Sequence, residues 1–281
     1  MNVSKAVLIT GCSSGIGWAT AKHLSDVGWR VYATARDVGK IAPLADSGCR
    51  LLALDVTDED SMASAVEKVE REEGAVGVLV NNAGYSQSGA VEAVPMEKVR
   101  RQFETNVFGL VRMCQLVLPG MRRQAYGRIV NLSSMGGRLT FPGAGFYHAS
   151  KHAVEALSDA LRYEVAGFGI RVTVIEPGLI RTGFANTAVG SMDERDDGPY
   201  AGFDEAVARV TTENYERGPI SRLAGEPEAV AETIGRAIST SNPRSRYAVT
   251  PSAHLFMGLR RLLPDGAWDA ALKTTYPQPG R

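Results

Sequence analysis

The chain has 281 residues, with 31 Lys and Arg against 31 Asp and Glu, so its formal net charge is zero. This balance argues against a nucleic-acid-binding protein, which needs a surplus of cationic side chains over phosphate. Hydrophobic residues make up 44% of the chain and charged residues 22%, which is typical of a globular protein and excludes a disordered one.

Short apolar runs alternate with helix-like segments along the chain. The first run ends at a glycine and is continuously apolar, as expected for a strand buried on both faces. Strands are predicted over residues 6–10, 30–34, 50–55, 78–81, 127–133, 170–176 and 246–250. Helices are predicted over residues 16–27, 57–73, 95–124, 147–166 and 204–215. Because a crossover between parallel strands needs a covering helix, this order predicts an α/β fold, a doubly wound parallel sheet of about seven strands with helices on both faces.

We expect a single domain over residues 1–281, with an insertion at about residues 183–225 where the composition shifts. The insertion contains many glycines and the acidic run 193–197, which indicate a flexible, solvated segment. It also contains five large apolar or aromatic residues, namely Phe184, Met192, Tyr200, Phe203 and Tyr215. Together these features predict a lid over an apolar substrate, the alternative being a rigid surface segment packed on the core. No structure is predicted for residues 264–281.

Cysteine usage and hydropathy bear on location. Cys12, Cys49 and Cys114 are too few and too scattered for a disulfide framework or a metal cluster, which predicts reduced thiols and no metal site. The N-terminus lacks the pattern of a signal peptide, and no uncharged apolar run reaches the roughly 18 residues that span a bilayer. The sequence therefore predicts a soluble, cytoplasmic protein without an integral membrane segment.

The loop between the first strand and the first helix has the pattern G-x-x-x-G-x-G. Glycines let the backbone turn sharply and approach a pyrophosphate, while the helix N-terminus offers N–H groups and a positive dipole end. We therefore expect this loop to bind a dinucleotide through Gly11, Ser13, Ser14, Gly15, Ile16 and Gly17.

The same loop also matches G-x-S-x-G, the nucleophile elbow of serine hydrolases, with Ser13 as the nucleophile. His148, His152 and His254 follow as candidate bases, although His148 and His152 are better explained by packing or solvent exposure. Hydrolase elbows normally follow several strands, whereas this loop follows the first, and the elbow leaves Gly17 unexplained. A hydrolase is therefore a remote alternative.

Beyond this loop, residues 5–182 resemble the short-chain dehydrogenase/reductase family, in its non-extended branch, with hydroxysteroid, retinol and carbonyl reductases nearest in appearance. The motifs that carry the resemblance, in family order after the glycine loop, are Leu54-Asp55-Val56, Asn81-Asn82-Ala83-Gly84, Asn106, Asn131-Leu132-Ser133-Ser134, Tyr147-x-x-x-Lys151 and Pro177-Gly178-Leu179-Ile180-Arg181-Thr182. The resemblance implies a Rossmann-type sheet and a hydride-transfer enzyme that interconverts a carbonyl and an alcohol on a small, apolar molecule. The nearer alternative is a dinucleotide sensor without turnover.

The resemblance assigns the catalytic roles to Asn106, Ser134, Tyr147 and Lys151. Tyr147 is the acid/base, and Lys151 lies one helical turn later on the same face. Its ammonium, together with the positively charged nicotinamide of the oxidised cofactor, is expected to lower the tyrosine pKa from its ordinary value near 10. Ser134 would hydrogen-bond the substrate oxygen, and Asn106 would support a water in a proton relay. Ser133 is expected to face the other way because strand residues alternate.

The resemblance also assigns residues to a nicotinamide cofactor. Beyond the glycine loop these are Arg36, Asp55, Val56, Asn82, Ala83, Gly84, Tyr147, Lys151, Pro177, Gly178, Ile180 and Thr182. Asp55 and Val56 would hold the adenine ring, and Ile180 and Thr182 the nicotinamide carboxamide.

The end of the second strand bears on the choice between NADP and NAD. Enzymes that use NAD place a carboxylate there, whereas this strand ends at the neutral Thr34 and is followed by Arg36. An arginine can pair with the 2′-phosphate of NADP. Asp37 leaves an alternative, because its carboxylate could bind a ribose or pair with Arg36. We expect NADP(H), with NAD less favoured.

The family commonly pairs its long helices across a two-fold axis, which implies a homodimer or homotetramer built on the helices from about residues 95 and 147. The support from this sequence is a set of apolar positions, Val99, Phe103, Val107 and Leu110, which could equally face the protein's own sheet.

Overall fold

In a computed structural model, which describes residues 3–192 and 198–280, seven strands form one parallel sheet. The strands are β1 (Val7–Ile9), β2 (Val31–Ala35), β3 (Arg50–Ala53), β4 (Val78–Asn81), β5 (Gly127–Leu132), β6 (Ile170–Pro177) and β7 (Arg246–Val249). Their spatial order is β3-β2-β1-β4-β5-β6-β7, and every neighbouring pair is parallel. The predicted doubly wound sheet of the Rossmann type is thus confirmed.

Helices cover both faces of the sheet. They are α1 (Gly15–Asp26), α2 (Glu59–Glu73), α3 (Met96–Phe103), α4 (Gly109–Arg123), α5 (Gly145–Val165), α6 (Phe184–Gly190), α7 (Ala201–Thr212), α8 (Pro227–Ser239), α9 (Pro251–Leu262) and α10 (Asp265–Lys273). Alternate strand residues supply two apolar cores. Leu8 packs in the core beneath α2, α4 and α5, whereas Ile9 packs in the core beneath α1 and α8. Within the described ranges, no helix is both long enough and apolar enough to cross a membrane.

The structure corrects the predicted helix over residues 95–124. It is broken between α3 and α4 by a π-helical turn, Glu104–Phe108, which contains Asn106. Single π-helical turns inside α-helices are often found at functional sites. Helices α6, α8, α9 and α10 were not predicted, and α10 lies in the tail that the sequence left without structure.

The two ends of the insertion lie next to each other. Ile180 and Gly225 form a parallel bridge, in which Arg181 N–H donates to the Gly225 carbonyl at 2.9 Å. The predicted helix over residues 204–215 is present as α7 followed by a π-helical turn, and Ala206, Val207 and Val210 of α7 are buried. The acidic run 193–197 lies outside the described residues.

The apolar positions offered as support for self-association are mostly internal. Val99, Val107 and Leu110 are each at most 7% exposed, and Leu110 belongs to the core beneath α2, α4 and α5. The apolar side chains that do reach solvent on these helices are others, including Phe108 and Leu157. Three of the four positions therefore pack inside the protein's own fold, Phe103 is half-buried, and the helix pairing stays a prediction.

Candidate active site

A cleft of about 980 Å³ opens at the carboxyl ends of the central strands. This is where β1 has β2 on one side and β4 on the other, the point at which the strand order reverses and at which open α/β sheets bind ligands. The predicted site residues that line it are Gly11, Ser13, Ser14, Gly15, Ile16, Arg36, Asp55, Val56, Asn82, Ala83, Gly84, Ser134, Tyr147, Lys151, Pro177, Gly178, Ile180 and Thr182. Gly17 and Asn106 are not among the lining residues.

The glycine loop is held by close backbone packing. Gly11 and Gly15 have φ of 73° and 58°, left-handed values that favour glycine. A Cβ on Gly17 would lie 2.3 Å from the Gly11 carbonyl oxygen and 2.4 Å from Asn82 Nδ2, which itself donates to the carbonyls of Thr10 and Gly11 at 2.9 Å. Gly17 therefore permits the loop to fold tightly and does not itself face the cleft.

These features fit a phosphate-bearing ligand. Helix α1 begins at Gly15 in the cleft wall and has no acidic residue in its first turn, so the positive end of its dipole is not offset locally. Residue Asp55 projects into the same cleft, and its Oδ1 accepts from the Thr57 N–H at 2.9 Å and from the Thr57 hydroxyl at 2.8 Å. The loop and helix end thus suit a dinucleotide, as predicted.

Asp37 does not form the alternative ion pair with Arg36. Asp37 Oδ1 accepts from the Gly39 N–H at 2.9 Å and caps the 3₁₀ turn Val38–Ala45. Among residues 3–192 and 198–280, Arg36 is exposed at the cleft and makes no hydrogen bond or ion pair. Its guanidinium is therefore available to an anionic ligand.

Tyr147 lies on the first turns of α5, among aromatic side chains. Its ring centroid is 5.4 Å from that of Phe184 and 5.6 Å from that of His148. Desolvation raises the pKa of Tyr147 to about 12, and the Ser134 hydroxyl opposes this rise. Desolvation outweighs the opposing influence of Ser134 on the Tyr147 pKa. The lowering expected from Lys151 together with the oxidised nicotinamide stays a prediction.

Lys151, on α5, is 5% exposed, and its side chain extends toward the end of β5. Its Nζ donates to the Leu132 carbonyl at 2.7 Å and lies 5.8 Å from the Tyr147 ring centroid. Burial lowers the pKa of Lys151 to about 8, and the carboxylate of Glu155 opposes this lowering. Ser134 caps the turn after β5, where its Oγ accepts from the Gly136 N–H at 3.0 Å.

The side chain of Asn106 makes three hydrogen bonds close to the predicted catalytic residues, and its role in a proton relay stays a prediction. Its Oδ1 accepts from the Tyr85 N–H at 3.1 Å, and its Nδ2 donates to the Tyr85 carbonyl at 2.9 Å and to Ser150 Oγ at 3.0 Å. The side chain therefore ties the loop after β4 to α5. A Cβ on Gly84 would lie 3.1 Å from Asn106 Oδ1 and 3.6 Å from Lys151 Nζ, so these two side chains approach each other at Gly84.

The hydrolase alternative has no base. In the part of the chain that the structure describes, no histidine hydrogen-bonds Ser13. His148 Nδ1 accepts from the Phe141 N–H at 3.2 Å, and His152 Nδ1 lies 2.9 Å from the His148 carbonyl oxygen. Both histidines are structural, as expected, and the elbow pattern is a coincidence of the glycine loop.

The sequence did not identify the aromatic contacts in the region around Tyr147. The Phe141 ring lies 5.7 Å from Phe256 of α9 and 5.9 Å from Trp268 of α10, and on the insertion Phe184 lies 6.1 Å from Tyr215. The two Phe141 contacts join segments more than 100 residues apart. No spacing or motif marks such pairs in a single sequence.

A second contact missed by the sequence holds the insertion over the cleft. Gln87 Nε2 donates to the Ser191 carbonyl at 2.7 Å, and the Ser88 N–H donates to Ser191 Oγ at 2.9 Å. Gln87, Phe184 and Ser191 all line the cleft. The segment after α6 is thereby tied to the loop after β4.

Comparison with known proteins agrees with this geometry. The family model described as short chain dehydrogenase matches residues 5–192. The chain is 37% identical over 276 residues to 3-ketodihydrosphingosine reductase of Bacteroides thetaiotaomicron, covering 96% of this chain and 97% of that protein. It is 35% identical over 275 residues to NADPH-dependent 3-dehydrocapnine reductase of Ornithobacterium rhinotracheale, covering 93% and 94%. A crystal structure of a short-chain dehydrogenase from Streptomyces avermitilis superimposes with a TM-score of 0.79 at 34% identity, covering 98% and 96%.

The depressed pKa of Lys151 predicts a stability cost. An unfolded lysine titrates near 10.4, so below a folded pKa of about 8 the full cost of burying the charge is present, and it disappears as the pH rises to about 10.4. Lys151→Met should raise the free energy of unfolding by about 1–3 kcal/mol at about pH 7, measured by denaturant titration. The gain should shrink near pH 10.5.

The matched control is Lys40→Met, which removes a lysine from an exposed position and so relieves no cost of burial. A difference between the Lys151→Met variant and wild type that stays constant from pH 7 to pH 10.5 would contradict the assigned cost.

Proposed function

The chain belongs to the short-chain dehydrogenase/reductase family, and on that premise we propose that it is an NADP(H)-dependent oxidoreductase that interconverts a ketone and an alcohol on an apolar molecule. The observation that carries the proposal is the convergence of Ser134, Tyr147 and Lys151 in one cleft with the glycine loop. The non-turnover sensor is less favoured, since a sensor has no need of a proton donor at this position.

Tyr147 is the proposed proton donor to the substrate oxygen. A phenol whose pKa is raised to about 12 retains its proton at neutral pH and can give it up to a developing alkoxide. Ser134, which partly offsets that rise, is placed to hydrogen-bond the same oxygen. The ammonium of Lys151, one turn along α5, favours the phenolate that remains after transfer. The nicotinamide, when bound, supplies or accepts the hydride.

The cofactor would be held by residues on both sides of the cleft. The glycine loop and the N-terminus of α1 suit the pyrophosphate, and Asp55 and Val56 suit the adenine. Arg36 is proposed to pair with a 2′-phosphate, which favours NADP over NAD. A relative named as NADPH-dependent supports the same choice.

The substrate is proposed to be a ketone carried on an apolar chain. Phe184 and Tyr215 of the insertion line the cleft with their ring centroids 6.1 Å apart, so an alkyl or ring system could be desolvated against them. Two relatives are named as reductases of 3-ketodihydrosphingosine and 3-dehydrocapnine. Their names support reduction of a keto group on a lipid-like molecule.

The first test replaces the proposed acid. Tyr147→Phe should lower the rate of NADPH oxidation with an apolar ketone at least about a hundredfold while leaving NADPH binding, followed by fluorescence titration, unchanged. Tyr163→Phe, at a tyrosine on the same helix that is 86% exposed, is the matched control and should keep full activity. Near-normal kcat in the Tyr147→Phe variant would refute the role. Failure of every ketone and aldehyde in a panel would favour the sensor.

The second test concerns cofactor choice. Arg36→Ala should cost NADPH about 1.5–3 kcal/mol in kcat/KM, because one charge-assisted contact is lost. NADH, which lacks the 2′-phosphate, should be almost unaffected and serves as the internal control. Equal losses for the two cofactors would show that Arg36 acts on the fold and not on the phosphate.

The insertion is proposed to act as a lid that excludes water from Tyr147. The ties from Gln87 and Ser88 to Ser191, and the Phe184 contact with Tyr147, support this proposal. Hydrogen exchange over residues 183–225 should be fast in the apoenzyme and slow on addition of NADPH and an inhibitor. Complete protection in the apoenzyme would identify the insertion as a rigid part of the core.

A further inference from the structure

Two buried carboxylates lie behind the candidate active site, on the side of the sheet that α5 covers. Glu155 is on α5 and Glu176 is near the end of β6, and their side chains are 7% and 6% exposed. The Nε atom of Arg246, on β7, lies 2.9 Å from Glu155 Oε2 and 3.5 Å from Glu176 Oε1. One guanidinium nitrogen thus stands between the two carboxylates and brings them together.

The charges around the pair come from each element packed against it. Arg138, after the turn that follows β5, has its Nε 4.0 Å from Glu176 Oε1. Arg246 also holds Asp159 of α5, with 2.6 Å between its terminal nitrogen and Oδ2. Arg162 pairs with the other oxygen of Asp159 at 2.8 Å. The negative charge of Asp159 is therefore balanced by two guanidinium groups. The two inner carboxylates, Glu155 and Glu176, share the remaining cationic contacts.

Hydrogen-bond accounting leaves this cluster incomplete when both inner carboxylates are ionised. Glu155 Oε1, Glu176 Oε1 and Ser133 Oγ are buried without a hydrogen-bond partner. The ion-pair distance of 3.5 Å from Arg246 to Glu176 does not amount to a hydrogen bond. Unmet acceptors at this depth destabilise the folded state. A proton on Glu176 turns one acceptor into a donor, and Glu155 Oε1 is the neighbouring acceptor that it can serve.

Ser133 belongs to the same pocket. A Cβ on Gly137 would lie 2.5 Å from Ser133 Oγ and 2.9 Å from Glu155 Cγ, so both atoms border the same small volume. Ser133 is 4% exposed, and it immediately precedes Ser134 of the candidate active site. Ser133 and Glu155 thus lie directly behind the segment that carries Ser134.

The electrostatics agree with a protonated Glu176. Burial and the neighbouring Glu155 raise the pKa of Glu176 to about 7, against the opposing influence of Arg138 and Arg246. The connection to the active site runs through Glu155, which lies one helical turn after Lys151. Its negative charge is the influence that opposes the lowering of the Lys151 pKa by burial.

We propose that Glu155 and Glu176 form a buried acid pair that shares one proton, and that the pair consists of positioning residues that keep Lys151 charged as the pH rises. The second half of this statement rests on the proposed function, because it concerns the protonation state needed for turnover. When the shared proton leaves, a second negative charge develops behind Lys151. That charge favours the ammonium form and extends activity toward alkaline pH.

The diagnostic variant is Glu176→Gln. Its amide resembles the protonated acid in shape and can donate to Glu155 Oε1, but it cannot ionise. Activity at about pH 6 should match wild type, since Glu176 carries its proton there. The alkaline limb of kcat/KM should begin lower by at least about 0.5 pH unit, because the second charge no longer forms. Asp159→Asn is the matched control, since it removes another carboxylate partner of Arg246 but leaves the inner pair intact.

An infrared titration of the apoenzyme tests the pair without activity. Wild type and Asp159→Asn should show the carbonyl band of a protonated carboxylic acid at about pH 6 that disappears on raising the pH, and Glu176→Gln should lack it. Absence of the band in wild type, or its persistence in Glu176→Gln, overturns the acid pair. A band that behaves as expected together with an unshifted alkaline limb overturns the coupling to Lys151. If no carbonyl compound is turned over, the proposed function fails, and the infrared result still decides the pair.

Discussion

Burial of the Lys151 ammonium is the constraint on which the rest of the site depends. A lysine at 5% exposure retains a charge only where fixed dipoles and anions replace the water it has lost. Here the Leu132 carbonyl, at the carboxyl end of β5, supplies a direct hydrogen bond, and the charge of Glu155 acts from one turn along the same helix. The charge state of Lys151 therefore depends on the positions of both β5 and α5.

The register between α5 and the sheet is held by a buried polar layer. Asn81 Nδ2 donates to Asn131 Oδ1 at 2.9 Å, and Asn131 Nδ2 donates to Ser158 Oγ at 2.9 Å, which links β4, β5 and α5 in sequence. Asn106 adds a parallel tie through Ser150 of α5. Directional bonds of this kind specify one alignment of helix on sheet, whereas apolar contacts tolerate sliding. The motif asparagines thus act first as alignment devices.

The two ends of the cleft differ in how they are built. The glycine loop, Arg36 and Asp55 come from the first 55 residues and form a backbone-lined, polar end. The apolar end is formed by Phe184 and Tyr215 of the insertion, and Tyr215 packs on a cluster that includes Phe141 and Phe256. Phosphate recognition needs backbone geometry that a short local pattern can encode. An apolar wall needs only shape and volume, which many combinations of distant side chains can provide.

The sequence by itself determined the seven strands, the glycine loop, and the one-turn spacing of Tyr147 and Lys151, because each depends on residues close together in the chain. Only the tertiary structure decided the rest. It set the raised pKa of Tyr147, which depends on desolvation by segments far apart, and the tie from Asn106 to Ser150, which depends on a π turn. It also brought Glu155 and Glu176 to one guanidinium across three elements. Local patterns encode backbone geometry, whereas burial and charge pairing are properties of the assembled packing.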